Sequence, residues 1–203
     1  MKKTLKKHII PTILAYSKDE FLDKYNKIRQ SGYAYLQIDT VDSAFTGFPA
    51  TWATPKRVEN LHLHIPFEVH SMERHPERHI LAWKHAGATR MYIHVESVKH
   101  PLELIEKIKK AGLEAGIALH PDTSSKAIRL LLPSVHAILL LGVIPGKGGQ
   151  RFQQKILKKI PLLRAMGWNK RIAVDGGVTA KNAQRILDAG ADMLASGTFS
   201  TSL

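Results

Sequence analysis

The chain contains no cysteine. That excludes disulfides and thiolate metal sites, and it suits a cytoplasmic protein. Long hydrophobic runs are also missing, so nothing in the sequence reads as a membrane-spanning helix. The opening "MKKTLKKHIIPTILAY" places lysines before an apolar run, as a secretory leader does. The run is short, contains Pro11 and lacks a small-residue cleavage site, so it reads as a basic lead-in to a first strand. Acidic residues are few, 17 Asp and Glu against 30 Lys and Arg, for a net charge of +13. Such a charge raises nucleic-acid binding as a possible role. The basic residues are spread over helical stretches such as "EKIKKAG" and "QQKILKKI", and no basic motif interleaved with aromatics is present. Nucleic acid is therefore not the expected partner. The positive field suits attraction of a small phosphorylated substrate.

The 203 residues suit one domain with a full core, spanning residues 1–203. Apolar β-type runs alternate with amphipathic helical runs. The strand candidates are "IIPTILA", "YAYLQIDT", "FEVHSM", "TRMYIHV", "EAGIAL", "HAILLLGVI", "RIAVD" and "DMLAS". Helices are expected over "KDEFLDKYNKIRQSG", "PERHILAWKHAG", "PLELIEKIKKAG", "TSSKAIRLLLP", "RFQQKILKKIPLLRAMG" and "TAKNAQRILDAG". Most of these end in glycine, a common helix stop. The segment "SAFTGFPATWATPKRVENLH" has the weakest helical pattern. The alternation predicts a (β/α)8 barrel, with a doubly wound open sheet as the other arrangement compatible with the pattern. The sequence stops at "SGTFSTSL", with no eighth helical pattern after the eighth strand. That predicts an uncovered apolar outer face beside this strand and, from it, a two-fold homodimer.

In a parallel barrel, functional side chains gather at the C-terminal ends of the strands. The polar residues there are Thr12, Gln37, Asp39, His70, His94, Glu96, His120, Asp175 and Ser196. Gln37 and Asp39 lie two apart, so they share one face of their strand. Asp39, His70 and Asp175 could converge on a divalent ion, or the two carboxylates could exchange protons with opposite sides of a substrate. Spacing alone equally allows three ordinary, internally satisfied polar residues. Asp42, at a strand-to-loop junction, reads as a backbone cap.

Glycine clusters follow the last three strands: "PGKGGQ", "DGGV" and "SGT". One pair would mean only a tight turn. Three at adjacent strand ends point to a phosphate cradled by backbone amides, in the part of the barrel where such sites are usual.

These stretches resemble the ribulose-phosphate 3-epimerase family from "PTILA" to "ASGTF", nearly the whole chain. The most specific matches are "PGKGGQRF" at 145–152 and "VDGGVTAKNAQRILDAGAD" at 174–192, supported by "VHSMERHPERHI" and "GIALHPDT". The resemblance implies a barrel enzyme that interconverts D-ribulose 5-phosphate and D-xylulose 5-phosphate. In it two aspartates work on opposite faces of carbon 3 with help from a divalent ion, Zn, Mn or Fe. It places the aspartates at Asp39 and Asp175, and the metal ligands at those two residues, His70 and Gln37. Substrate contacts fall on Thr12, His70, Gly146, Gly148, Gly149, Gly176, Gly177, Gly197 and Thr198. The family's second-strand motif is close to His-Val-Asp-Val-Met-Asp-Gly-His-Phe, whereas this chain reads "QIDTVDSAF". A ligand histidine is thus Gln37, a methionine is Val41, and the sixth-strand methionine is Leu141. An amide oxygen is a weaker, harder ligand than imidazole, so weak metal binding is expected. The altered strand leaves two other readings open: a non-catalytic phosphosugar-binding relative, and an epimerase or isomerase of a different phosphosugar.

Overall fold

A computed structural model describes residues 5–197. Eight parallel strands close into a barrel in the order β1 to β8. They are β1 Ile9–Ile13, β2 Leu36–Val41, β3 Phe67–Met72, β4 Ala88–His94, β5 Glu114–Leu119, β6 Ala137–Leu141, β7 Arg171–Asp175 and β8 Met193–Ser196. Closure pairs β8 with β1, Ile10 lying opposite Ala195. Among the described residues no helix is long and apolar enough to cross a membrane.

Two-residue alternation divides each strand between two cores. Outward residues such as Ile38, Val69, Ile93, Ile117, Ile138 and Leu194 join the layer between barrel and helices. Inside the barrel, Tyr92, Ala118, Ala137, Leu139, Leu141 and Ala173 form a separate apolar cluster.

The longest helix, α1 (Lys18–Gln30), shows why these segments fold as they do. Ser17 caps it by accepting the Glu20 amide, acids sit in the first turn and bases in the last, and Phe21, Tyr25 and Ile28 are buried. Further helices are α2 (Ser43–Thr46), α3 (Pro55–Glu59), α4 (Ile80–His85), α5 (Pro101–Lys110), α6 (Lys159–Ala165) and α7 (Ala183–Asp188).

Two expected helices are shorter than their periodicity suggests. "TSSKAIRLLLP" folds as two 3-10 turns, Ser125–Ile128 and Leu132–Ser134. Pro133 disfavours α geometry in the residue before it, which stops the pattern from continuing as one helix. "RFQQKILKKIPLLRAMG" opens with a 3-10 turn, and α6 begins two residues before Pro161, so the proline falls in the first turn, where a missing N–H costs nothing. The uncovered face expected beside β8 is not seen among the described residues. Leu194 is fully buried, and Leu5 and Ile9 lie in the same cluster.

Candidate functional site

Strand register delivers the polar residues to one end of the barrel. On β2 and β3, Asp39 lies directly opposite His70. Gln37 is level with Thr12 on β1, and Asp175 closes β7 opposite Ala195. Asp39, His70 and Asp175 are all buried, and one ligand atom from each can be chosen so that all lie within 4.8 Å of one another.

The two carboxylates share the same partners. The Gln37 amide nitrogen donates to Asp39 Oδ1 at 2.7 Å and to Asp175 Oδ2 at 2.8 Å. His70 Nδ1 stands 3.2 Å from each of those same oxygens. Asp39 Oδ2 and Asp175 Oδ1 have no protein partner among the described residues, and both residues line the adjoining cavity. Each aspartate is therefore anchored by one oxygen and has the other available. Behind His70, its Nε2 lies 2.9 Å from Nε2 of His94, and His94 Nδ1 lies 3.3 Å from Glu96 Oε2. The other oxygen of Glu96 accepts the His120 amide at 2.9 Å.

These contacts set the protonation states. Burial, and after it the charge of Asp175, push the Asp39 carboxyl above its ordinary value. Burial opposes charge on His70, yet its hydrogen bonds to Asp175 and Asp39 prevail and lift it to about 9. His94 goes the other way: burial lowers it to about 4 despite Glu96, so it is neutral at pH 7. Glu96 resists its own burial because His94 and Thr123 hydrogen-bond to it, and it falls to about 2.

A cavity of about 1230 Å³ opens over this cluster. Its lining includes Thr12, Asp39, His70, Asp175, Gly146, Gly148, Gly149, Gly176, Gly177 and Gly197, nearly every residue expected at the site. Thr198, also expected there, lies outside the described residues. The amides of Gly148, Gly149, Gly176 and Gly177 have no acceptor among the described residues. The loops presenting them are braced from behind. Gln150 Nε2 donates to the carbonyls of Ile144 and Lys147, both at 2.7 Å. Asn182 accepts the Thr179 amide and donates to the Gly177 carbonyl. Gly176 has φ 89°, and a Cβ there would stand 2.3 Å from a Val143 methyl, so no other residue fits without rearrangement.

Four cations of the lining carry no functional mark in the sequence. Lys147, Arg151, Lys181 and Arg185 border the same cavity, although basic residues read in the sequence as solvated surface. Only the folding of two loops and the start of α7 around one opening brings them together. His94 and Glu96 were recognisable as strand-end polar residues, but the contact with His70 was not, because it depends on the stagger between β3 and β4. Asp42 is the cap it was expected to be, accepting the amides of Phe45 and Arg74 at 2.7 Å each.

The donor set fits a divalent ion. Two carboxylates and an imidazole converge, and Gln37 Oε1 is buried without a hydrogen-bond partner. Gln37 was expected to present that oxygen to the site; instead its NH₂ faces the carboxylates, because two anionic acceptors favour a donor. Rotation of the terminal amide by half a turn would place the orphaned oxygen among them.

Comparison with known proteins agrees with this geometry. The ribulose-phosphate 3-epimerase family model matches residues 8–200. The chain is 33% identical over 198 residues to the chloroplastic ribulose-5-phosphate-3-epimerase of Arabidopsis thaliana, covering 94% of this chain and 70% of that one. It is 32% identical over 197 residues to ribulose-phosphate 3-epimerase of Bacillus subtilis, covering 94% and 90%. Among solved structures, the tryptophan synthase α-subunit of Pyrococcus furiosus superposes with a TM-score of 0.70 at 12% identity, over 96% of this chain and 88% of that one, a likeness of fold alone. A closed barrel with paired aspartates below glycine loops, and a match along almost its full length, place this chain in the ribulose-phosphate 3-epimerase family.

Proposed function

We propose that the protein is an isomerase that inverts carbon 3 of a ketopentose 5-phosphate, interconverting D-ribulose 5-phosphate and D-xylulose 5-phosphate. The observation that carries this reading is the symmetrical anchoring of Asp39 and Asp175. Gln37 and His70 hold one oxygen of each, and the second oxygens are left for a substrate in the cavity. In this reading the phosphate rests on the unpaired amides of Gly148, Gly149, Gly176 and Gly177, with Gly146 and Gly197 completing the pocket. Thr12 offers its hydroxyl beside Gly197, where a Cβ would come within 3.3 Å of Thr12 Oγ1. The exposed cations Lys147, Arg151, Lys181 and Arg185 add attraction for the phosphate dianion.

Proton inversion needs one carboxylate to take a proton and one carboxylic acid to give a proton back from the other side. Two acids this close resist ionising together, and the raised Asp39 is suited to hold the proton while Asp175 acts as base. In the reverse direction their roles exchange. Asp39, His70, Asp175 and, through its amide oxygen, Gln37 would hold a divalent ion. When bound it supplies positive charge for the negative charge that builds on the sugar oxygens as the proton leaves.

Proton NMR of ribulose 5-phosphate in D₂O with protein and Zn²⁺ tests the proposal. Exchange at carbon 3 with appearance of xylulose 5-phosphate is expected. Phosphosugar binding without exchange would favour a binding protein. Exchange only in another ketose phosphate would keep the chemistry and change the substrate.

A further inference from the structure

We propose that His94 and Glu96 are positioning residues that orient His70 for cation binding. A directed chain of hydrogen bonds fixes which nitrogen of His70 carries its permanent proton. The inference rests on the metal-binding reading above and extends it to two residues outside the ligand set.

The direction of the chain follows from donors and acceptors. Glu96 already accepts the His120 amide on Oε1, at 2.9 Å. As a carboxylate it can only accept from His94, so His94 Nδ1 carries the hydrogen. In neutral His94 that leaves a bare lone pair on Nε2. Only 2.9 Å separates it from His70 Nε2, and a contact that short needs a proton between the two nitrogens. His70 must supply it. Its Nε2 is therefore the protonated nitrogen, and Nδ1 is the one that can offer a lone pair towards Asp39 and Asp175.

The packing reinforces this alignment. The imidazole centroids are 5.1 Å apart with planes 29° apart, so rings whose nitrogens are 2.9 Å apart meet end-on. Phe45 packs on His94 with a centroid separation of 5.1 Å, and both imidazoles are at most 1% exposed. Two imidazoles filling space alone would not need a carboxylate behind them. An apolar side chain would fill the same volume without a buried polar group to satisfy. Histidine ligands elsewhere are set in this way by a hydrogen bond on the distal nitrogen, and loss of such a partner costs roughly 10–100-fold in metal affinity.

Glu96→Gln tests the direction while keeping the shape. Its amide NH₂ can donate to His94 Nδ1, which moves the His94 proton to Nε2 and turns a hydrogen towards His70. Mn²⁺ is the probe, with affinity read by calorimetry and the His94 tautomer read by long-range ¹⁵N–¹H NMR. Wild type should show His94 protonated at Nδ1 and should bind Mn²⁺. E96Q should show the opposite tautomer and bind about 10–100-fold more weakly. His94→Gln can accept from His70 through its amide oxygen, so it should retain most of the affinity and keep it when combined with E96Q. A wild-type His94 protonated at Nε2, or equal Mn²⁺ affinity in wild type and E96Q, would overturn this inference and leave the metal reading standing. Should E96Q fail to fold, loss of affinity in H94Q would overturn it instead. Wild-type protein that binds no Mn²⁺ would overturn the metal reading and this inference together.

Discussion

The barrel carries a polar layer at each end, and the two are balanced differently. At the N-terminal ends of the strands, Glu68 lies 2.6 Å from Arg90, which also bonds Glu114, and Arg171 stands 3.9 Å from Glu68. Two acids there face two guanidinium groups. At the C-terminal ends, Asp39 and Asp175 face one imidazole and a neutral amide. In the lower layer the guanidinium groups match the acids in number, as in a structural ion network, although Glu68 Oε1 and Arg90 Nε are buried without a hydrogen-bond partner among the described residues. The upper layer holds more acid than the chain neutralises, in a cavity with unpaired amides. Such an imbalance is expected where a cation and a substrate complete the site, and it tells the functional end of the barrel from the structural end.

Substitution should separate the two layers most clearly through activity. Asp39→Asn or Asp175→Asn should lower epimerisation by about 10²–10⁴-fold while thermal stability holds or rises, since each relieves a buried like-charge contact. Turnover assays and melting curves on the same samples check this. Arg90→Met should do the reverse. It strands Glu68, which is fully buried, and should cost about 3–5 kcal/mol in denaturant unfolding. Folded molecules should still turn over. Arg90→Met with Glu68→Leu should recover much of that loss, because an apolar pair replaces an ion pair.

Gln37→His should have a smaller effect, confined to the upper layer. An imidazole in place of an amide should tighten Zn²⁺ binding by at least about tenfold in calorimetry. Unchanged affinity would mean that Gln37 does not reach the ion.

A further expected effect is a pH dependence. His94 is depressed in the fold to about 4 from an ordinary 6.5, so the unfolded chain binds more protons between these values. The stability it contributes is present above pH 6.5 and is lost as pH falls towards 4. Melting temperatures of metal-free protein should fall over that window, and less steeply in His94→Gln.

The upper layer was far more legible in the sequence than the lower. Strand-end positions and glycine clusters marked Asp39, His70, Asp175 and the glycine loops, because function concentrates there in parallel barrels. Nothing in "FEVH", "TRMY" or "LEAG" announced that Glu68, Arg90 and Glu114 pair across three strands. Register between neighbours decides it, and the shift between β3 and β4 at Phe67 and Glu68 has no local sequence sign. The direction of the Gln37 amide was likewise hidden, since it depends on two acids from strands far apart in the chain. The helix expected over residues 123–133 failed for a local reason, Pro133 within a leucine run.

Deuterium exchange from each epimer separately tests the two-aspartate assignment most directly. Wild type should exchange the carbon 3 proton of both ribulose 5-phosphate and xylulose 5-phosphate. Asp39→Asn should exchange only one of the two readily, Asp175→Asn only the other, and either variant should interconvert them about 10²–10⁴-fold more slowly than wild type. Interconversion by either variant at the wild-type rate, or exchange of the same epimer by both, would contradict the assignment of one aspartate to each face.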